Sequence, residues 1–235
     1  MADPYADPDS GVLRNKLGIT DPQALAAAEA DITAARLTRL AEKPIPGAYD
    51  LAHLQAFHRE VFGSIYPWAG QTRSIEIAKD STRFCLVRMI PDFANDTFGR
   101  LARHQNHLRG LDRDNFLTGL ADLYGDVNAL HPFREGNGRT QRAFLGQLAA
   151  EAGHPIDWTR LDPDRNTLAS IASFNGNNGP LRSMLSELTV DQPAPRARAA
   201  TATGAVVRAT PAPTPAPVIQ PPPPVRPANQ PTIRR

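Results

Sequence analysis

Residues 131–142 read His-Pro-Phe-Arg-Glu-Gly-Asn-Gly-Arg-Thr-Gln-Arg. An unperturbed imidazole titrates near neutral pH, a property that suits His131 to taking a proton from a hydroxyl group. Gly136-Asn137-Gly138 permits positive φ and lets backbone approach a ligand closely. Arg139 and Arg142 are three apart, so on a helix they share a face and reach one chain of phosphates. Glu135 at the mouth of such an anion cradle makes sense as a ligand of Mg²⁺, which is held by one or two carboxylates plus phosphate oxygens. Each part alone is weak, since a histidine at a helix end is more often a structural hydrogen-bonder and a Gly-x-Gly turn only a turn. The order base, carboxylate, glycine turn, helix makes mechanical sense as one unit.

The elements around this stretch must hold it in place. Phe116, Leu120, Leu123, Val127 and Leu130 recur at helical spacing, with Asp114 as the expected N-cap. Pro132 disfavours a helical residue before it, so the spacing predicts that His131 ends the helix and faces a loop. Phe144, Leu145, Leu148 and Ala149 then predict a second helix after the glycine turn. Its N-terminus, with unbonded N–H groups and the positive dipole end, is an anion site.

The sequence His-x-Phe-x-Glu-Gly-Asn-Gly-Arg-x-x-Arg at residues 131–142 resembles the full signature of Fic-domain proteins. Residues 65–71 (Ile-Tyr-Pro-Trp-Ala-Gly-Gln), with the Leu54…His58 segment before them, resemble the family's stretch ahead of its flap. Residues 12–19 resemble the N-terminal stretch of bacterial Fic toxins and related host-targeted effectors. The likeness spans roughly residues 5–190 and implies a protein adenylyltransferase, which moves AMP from ATP to a hydroxyl of a target protein. It implies His131 as general base, Glu135 as the Mg²⁺ ligand, and the backbone of Gly136, Asn137 and Gly138 as the phosphate cradle. Arg139 and Arg142 would hold the outer phosphates, and Phe133 would pack inward to anchor the loop. The death-on-curing kinases share the fold but carry lysine where this chain has Gly138, so glycine there favours AMP transfer. Relatives that use CDP-choline or UTP are not separated by the signature.

The target is expected on a hairpin flap at about residues 72–88. Ile75 and Ile77 alternate with Ser74 and Glu76 as a half-buried strand would, and residues 83–87 can return as its partner. In the family a target segment adds to this flap as a further strand, with Ser74, Ile75, Glu76 and Ile77 as the docking edge. Lys79 and Asp80 at the flap tip, with Asn106 and Asn175, are candidates for contacting the nucleoside.

Composition sets the frame. The 235 residues divide into an N-terminal extension (1–20), a mainly α-helical Fic domain (21–190) and a tail (191–235). Of 23 prolines, 12 fall in the tail, which has no aromatic residue and six arginines against Asp191. Such a segment cannot bury enough apolar surface to offset its ordering entropy, so disorder with polyproline II character is expected. The tail carries +5 of a net +2, leaving −3 on residues 1–190, which gives no reason to expect a nucleic-acid groove. Asp21-Pro22, Asp50, Pro91-Asp92 and Asp162-Pro163 are expected helix starts, and Leu168 and Ile171 mark the core face of the last of these. Leu181, Met184, Leu185 and Leu188 mark a closing helix. The single Cys85 excludes an internal disulfide and fits a reducing bacterial cytoplasm, with export into a host cell if the chain is an effector. No stretch approaches twenty apolar residues, so no membrane span is expected.

Many Fic enzymes are restrained by a helix bearing Ser/Thr-x-x-x-Glu-Gly/Asn, whose glutamate occupies the second motif arginine. The nearest approach here is Ser183…Glu187, followed by Leu188 instead of Gly or Asn. Restraint is therefore expected from a small antitoxin that presents a glutamate to Arg142. The resemblance points to a toxin acting on bacterial type II topoisomerases. The alternatives are a host-directed effector acting on small GTPases, and a catalytically silent scaffold.

Overall fold

A computed structural model describes residues 3–79 and 82–190. The expected disordered tail (191–235) and Asp80 lie outside the described residues. Among those described there are seven α-helices: α1 (Pro22–Glu42), α2 (Leu51–Phe62), α3 (Ile90–Gln105), α4 (Arg113–Leu130), α5 (Asn137–Glu151), α6 (Pro163–Phe174) and α7 (Gly179–Leu188). None is long and apolar enough to cross a membrane.

Helix starts follow the local chemistry. The carboxylates of Asp21, Asp50 and Asp162 each accept from a backbone N–H in the first turn of α1, α2 and α6. Proline follows two of them at a position where its missing N–H has no cost. For α4 the cap is Asp112 and not Asp114. Asp112 takes both the backbone and side-chain N–H groups of Asn115 (2.9 and 2.7 Å), while Asp114 sits in the first turn and pairs with Arg182 (3.0 Å).

Helix α4 is the axis of the bundle and packs against α3, α5, α6 and α7. Its buried residues, among them Phe116, Leu120, Tyr124, Val127 and Leu130, point in several directions around the helix, as burial on several sides requires. Helix α5 lies against α4, α2 and α1, so the loop joining α4 to α5 is held at the centre of the fold. Helix α7 buries Leu181, Met184, Leu185 and Leu188. Helix α6 departs from expectation: Ala169 is its buried residue, while Leu168 and Ile171 are exposed. Its small residue lies inward because the α6–α7 pair approaches closely there, and the larger apolar residues turn to solvent.

The flap is shorter than its alternating pattern suggests. Strands β1 (Ala78–Lys79) and β2 (Thr82–Arg83) pair antiparallel through Ala78↔Arg83 and Lys79↔Thr82 only. Residues 75–77 precede the ladder, and residues 84–86 leave it toward α4, where the Cys85 N–H donates to the Ala129 carbonyl (2.9 Å). The return limb is thus drawn onto the helix before it can pair further. The N-terminal extension is integrated into the domain. Lys16 bonds to the backbone of Ile65 and Gly63, and Tyr5 packs edge-on against Trp68.

Candidate active site

The chain leaves α4 at His131, which caps the helix in the left-handed region (φ 42). Its Nδ1 lies 3.2 Å from the Asn128 carbonyl oxygen. A carbonyl can only accept, so this bond places the proton on Nδ1 and the neutral ring's lone pair on Nε2. Phe84 from the flap stacks on the ring, with centroids 3.7 Å apart.

The loop after His131 is held by side chains that mimic backbone. Asn137 accepts from the Phe133 N–H (2.9 Å) and donates to the Phe133 carbonyl (2.7 Å), so its side chain is fully used in the loop. Phe133 is buried and stacks on His58 at 4.0 Å. Gly136 takes φ +80, and a Cβ there would fall 2.3 Å from the Phe62 ring, so no side chain fits. As the N-cap of α5 it supplies no capping side chain. The first intrahelical bond is Thr140 N–H to Gly136 O (3.1 Å), which leaves the amides of Asn137, Gly138 and Arg139 without intrahelical acceptors. That is a bare helix N-terminus suited to phosphate.

Glu135 is half exposed at the mouth of this cradle, with Oε1 accepting from the Gly136 N–H (2.8 Å) and 3.5 Å from Arg139. No group of three or more His, Cys, Asp or Glu among the described residues could hold a metal by itself. One exposed carboxylate beside a phosphate cradle fits Mg²⁺, whose remaining ligands would be phosphate oxygens and water.

The two arginines have different surroundings. A Cβ at Gly138 would meet Nη1 of Arg142 at 3.3 Å, so this guanidinium lies across the cradle's glycine. Burial raises the pKa of the Tyr124 hydroxyl, and the nearby Arg142 charge opposes that rise. Arg139 lies over the Phe62 ring (4.8 Å), bonds to Thr33 (3.2 Å) and pairs with Glu29, a buried carboxylate on α1 that also accepts from the Tyr66 hydroxyl. Both arginines border an apolar cavity of about 550 Å³ walled by Leu37, Leu40, Ala143 and Trp158.

On the other side, a cleft of about 400 Å³ joins Ile75, Glu76, Ile77 and Ala78 to Phe84, His131 and Arg134. The structure therefore brings the candidate base and three of the four proposed docking residues together. Ser74 lies just outside, its N–H donating to the Tyr5 hydroxyl (2.8 Å). Asn106 caps α3 at φ 45, and Asn175 ends α6 with its amide on the Ile171 carbonyl. Neither lines either of these two cavities. Lys79 lies in β1 at the flap tip. Glu187 pairs with Arg165 (2.7 Å) on the exposed flank of α7. The Cys85 thiol is half-buried, and burial raises its pKa.

Three supports had no sequence signal beyond their residue type. Arg73 is fully buried, and its guanidinium donates to the carbonyls of His131 (2.9 Å), Ile75 (2.8 Å) and Cys85. Asp3 accepts both Nε and Nη2 of Arg134 (2.9 and 2.7 Å), tying the N-terminus to the motif. His58 donates from Nε2 to the Glu135 carbonyl (3.0 Å) and accepts the Gly70 N–H at Nδ1 (2.8 Å).

Burial pushes the His58 pKa down to about 4, the bond to Glu135 opposing it in part. The unfolded chain, with a histidine pKa of ~6.5, then binds more protons than the folded one between those values. Stability from this group is complete above ~6.5 and is lost as pH falls toward 4, by about 3 kcal/mol in all. Urea unfolding at pH 7 and pH 4.5 should show that loss in the wild-type chain and a smaller one in His58→Gln. Equal losses in the two proteins would refute the assignment.

The description of the Fic/DOC family matches residues 48–149. The chain is 44% identical over 194 residues to protein adenylyltransferase VbhT of Bartonella schoenbuchensis, covering 81% of this chain but only 40% of VbhT. It is 39% identical over 182 residues to y4lH of Sinorhizobium fredii, named a probable protein adenylyltransferase, covering 77% of this chain and 93% of that protein. Among solved structures, the Bartonella tribocorum effector BepC with bound AMPPNP superposes with a TM-score of 0.73 at 27% identity, covering 80% of this chain and 97% of that one.

Proposed function

We propose, because the chain belongs to the Fic/DOC family, that its site transfers AMP from ATP to a hydroxyl side chain of a target protein. Its relatives are named protein adenylyltransferases, and the chain is an enzyme of that nucleotidyltransferase class. The observation that carries the detailed reading is the place of His131: it ends α4 with Nδ1 against the Asn128 carbonyl, and it lines the cleft that also holds flap residues 75–78. The target oxygen forms a bond to the α-phosphorus, its proton passes to Nε2, and the α–β bridging bond breaks to release pyrophosphate.

The amides of Asn137, Gly138 and Arg139 at the start of α5 receive phosphate oxygens, and Glu135 holds Mg²⁺. That ion supplies neutralisation of phosphate charge. Arg142, lying beside Gly138, orients the outer phosphates, and Lys79 with Asp80 at the flap tip are proposed to meet the nucleoside. Arg139 shares its charge with Glu29, so its grip on phosphate is the weaker of the two arginines.

We further propose a toxin–antitoxin role, in which a separate small protein presents an inhibitory glutamate to Arg142. The targets are then the ATPase subunits of type II topoisomerases and the site of action the bacterial cytoplasm. The likeness to VirB-translocated effectors supports the second reading, a host-directed enzyme acting on small GTPases. Parallel incubations with ATP labelled at the α- or the γ-phosphate and a bacterial or a host-cell lysate, followed by mass spectrometry of labelled bands, test the reaction and the target together. AMP on a Ser, Thr or Tyr of a topoisomerase subunit is expected. Label only on host-cell proteins would select the effector reading, and label arriving from the γ-phosphate would overturn AMP transfer.

A further inference from the structure

The N-terminal segment bridges the two walls of the cleft beside His131. On the flap side, the Ser74 N–H donates to the Tyr5 hydroxyl oxygen (2.8 Å), and the Ser74 hydroxyl lies 3.2 Å from the same atom. On the motif side, Asp3 accepts both Nε and Nη2 of Arg134 (2.9 and 2.7 Å), and Arg134 lines the cleft. The bridge is anchored along its own length. The Tyr5 ring packs edge-on against the buried Trp68, with centroids 5.2 Å apart. The Tyr5 carbonyl accepts from the Arg14 N–H (2.8 Å), and Ala6 pairs antiparallel with Leu13.

A strand added to a sheet edge pairs through backbone N–H and C=O groups that no other partner holds. Along the first limb of the flap some of those groups are already taken. Tyr5 holds the Ser74 N–H, and the Ile75 carbonyl accepts from the buried Arg73 (2.8 Å). Among the described residues, none bonds to the backbone of Glu76 or Ile77, and the Glu76 side chain accepts from the Val87 N–H. The open part of the edge therefore starts at Glu76 and runs toward β1. Register decides the outcome there. Successive side chains on one face of a strand lie about 7 Å apart, so a slip of two residues keeps the face and brings a neighbouring side chain to the base.

We propose that Tyr5 is the end stop of the docking edge, a specificity-determining residue that sets which hydroxyl of an extended target segment faces His131. This rests on the reading that targets dock along the flap. By holding the Ser74 N–H, Tyr5 denies an incoming strand its next hydrogen bond, and the Asp3–Arg134 pair walls the cleft from the same stretch of chain. A segment slipped past that point leaves a backbone carbonyl without a donor. Pairing then begins opposite Glu76, and the partner is a short extended segment carrying a Ser, Thr or Tyr hydroxyl.

The test compares the wild-type chain with Tyr5→Phe, which keeps the ring on Trp68 and removes only the oxygen. The probe is the segment that the wild-type chain labels in a bacterial or host-cell lysate, made as a peptide with serine two residues to either side of the modified hydroxyl. Mass spectrometry reads the ratio of AMP at the three positions, a quantity insensitive to loss of folded protein. Wild type should favour the central hydroxyl about tenfold or more. Tyr5→Phe should lower that preference about fivefold, the worth of one hydrogen bond. The gain should fall on one flanking serine only, the one that a slip toward Ser74 brings to His131. Hydrogen exchange at the Ser74 amide should quicken by about the same factor, and KM for MgATP should stay within about twofold. An unchanged ratio beside a faster Ser74 amide would overturn the end stop, as would equal gain at both serines or an unchanged Ser74 amide. A wild-type chain that labels no protein would instead overturn AMP transfer itself, and the end stop with it.

Discussion

Replacing His131 by Asn should lower AMP transfer by about 10²–10⁴-fold or more, the usual contribution of a positioned general base. Asparagine is the informative substitute because it tolerates the left-handed region that His131 occupies at φ 42. The helix end and loop should therefore survive, and the loss can be assigned to the missing base. The proposed phosphate cradle lies beyond the loop, on the amides that open α5, and does not include the imidazole. Affinity for MgATP by calorimetry should accordingly stay within about twofold of wild type, because interactions shared by ground and transition states are untouched. Expression in bacteria should become harmless where the wild-type chain arrests growth. Retention of more than a tenth of the transfer rate would mean that another group takes the proton.

The parts of this site that lie close together in sequence were legible, and the parts that meet across the fold were not. His131 at a helix end, Gly136 at a turn and a helix opening directly after it all follow from local rules about proline, glycine and caps. So do the starts of α1, α2 and α6, where an aspartate reaches an amide two or three residues ahead. Even the misplaced cap of α4 is a local contest, decided by Asn115 giving two donors to Asp112. Nothing local links Asp3 to Arg134 or Glu29 to Arg139, which are separated by more than a hundred residues. Periodicity reports which face of a helix is apolar but not which neighbour arrives there, so Leu168 and Ile171 read as core and stand exposed. The flap read too long for a related reason. Alternation marks residues able to pair, whereas Cys85 is drawn to Ala129 on α4 and the ladder stops at Arg83.

These long-range ties change how the motif works as a machine. The signature supplies the groups proposed to touch nucleotide, but their positions are set from four other places. Helix α2 fixes the Glu135 carbonyl through His58, and α1 engages Arg139 through Glu29. The N-terminus holds Arg134, and the flap root holds His131. A catalytic loop needs this because errors of about 1 Å in placement can cost a hundredfold in rate. Buried polar anchors also resist sliding in a way that apolar packing does not, since a displaced anchor leaves unpaired groups behind.

Arg73 is where that penalty should be largest. Its side chain is fully buried and supplies the donors for three carbonyls, with Glu76 at 3.5 Å as its partial counter-ion. Burial lowers its pKa, the sign expected for a charge taken from water. In Arg73→Met the carbonyls of His131, Ile75 and Cys85 each lose a charge-assisted bond, and an orphaned buried acceptor costs roughly 1–3 kcal/mol. The effects are not additive, so a total of about 3–5 kcal/mol is expected, or a Tm lower by on the order of 10 °C for a domain of this size. Arg73→Lys should recover only part of this, because a single ammonium cannot span three carbonyls that a planar fork reaches together. Thermal unfolding of the three proteins at pH 7 gives the stability ranking, wild type above Lys above Met. Transfer rates measured well below the lowest Tm give the second ranking. A chain that stays folded there while losing activity in the same order would show that Arg73 couples flap to base. Arg73→Met unfolding within about 1 kcal/mol of wild type would instead mean that water satisfies those carbonyls and that the guanidinium is not the tie it resembles.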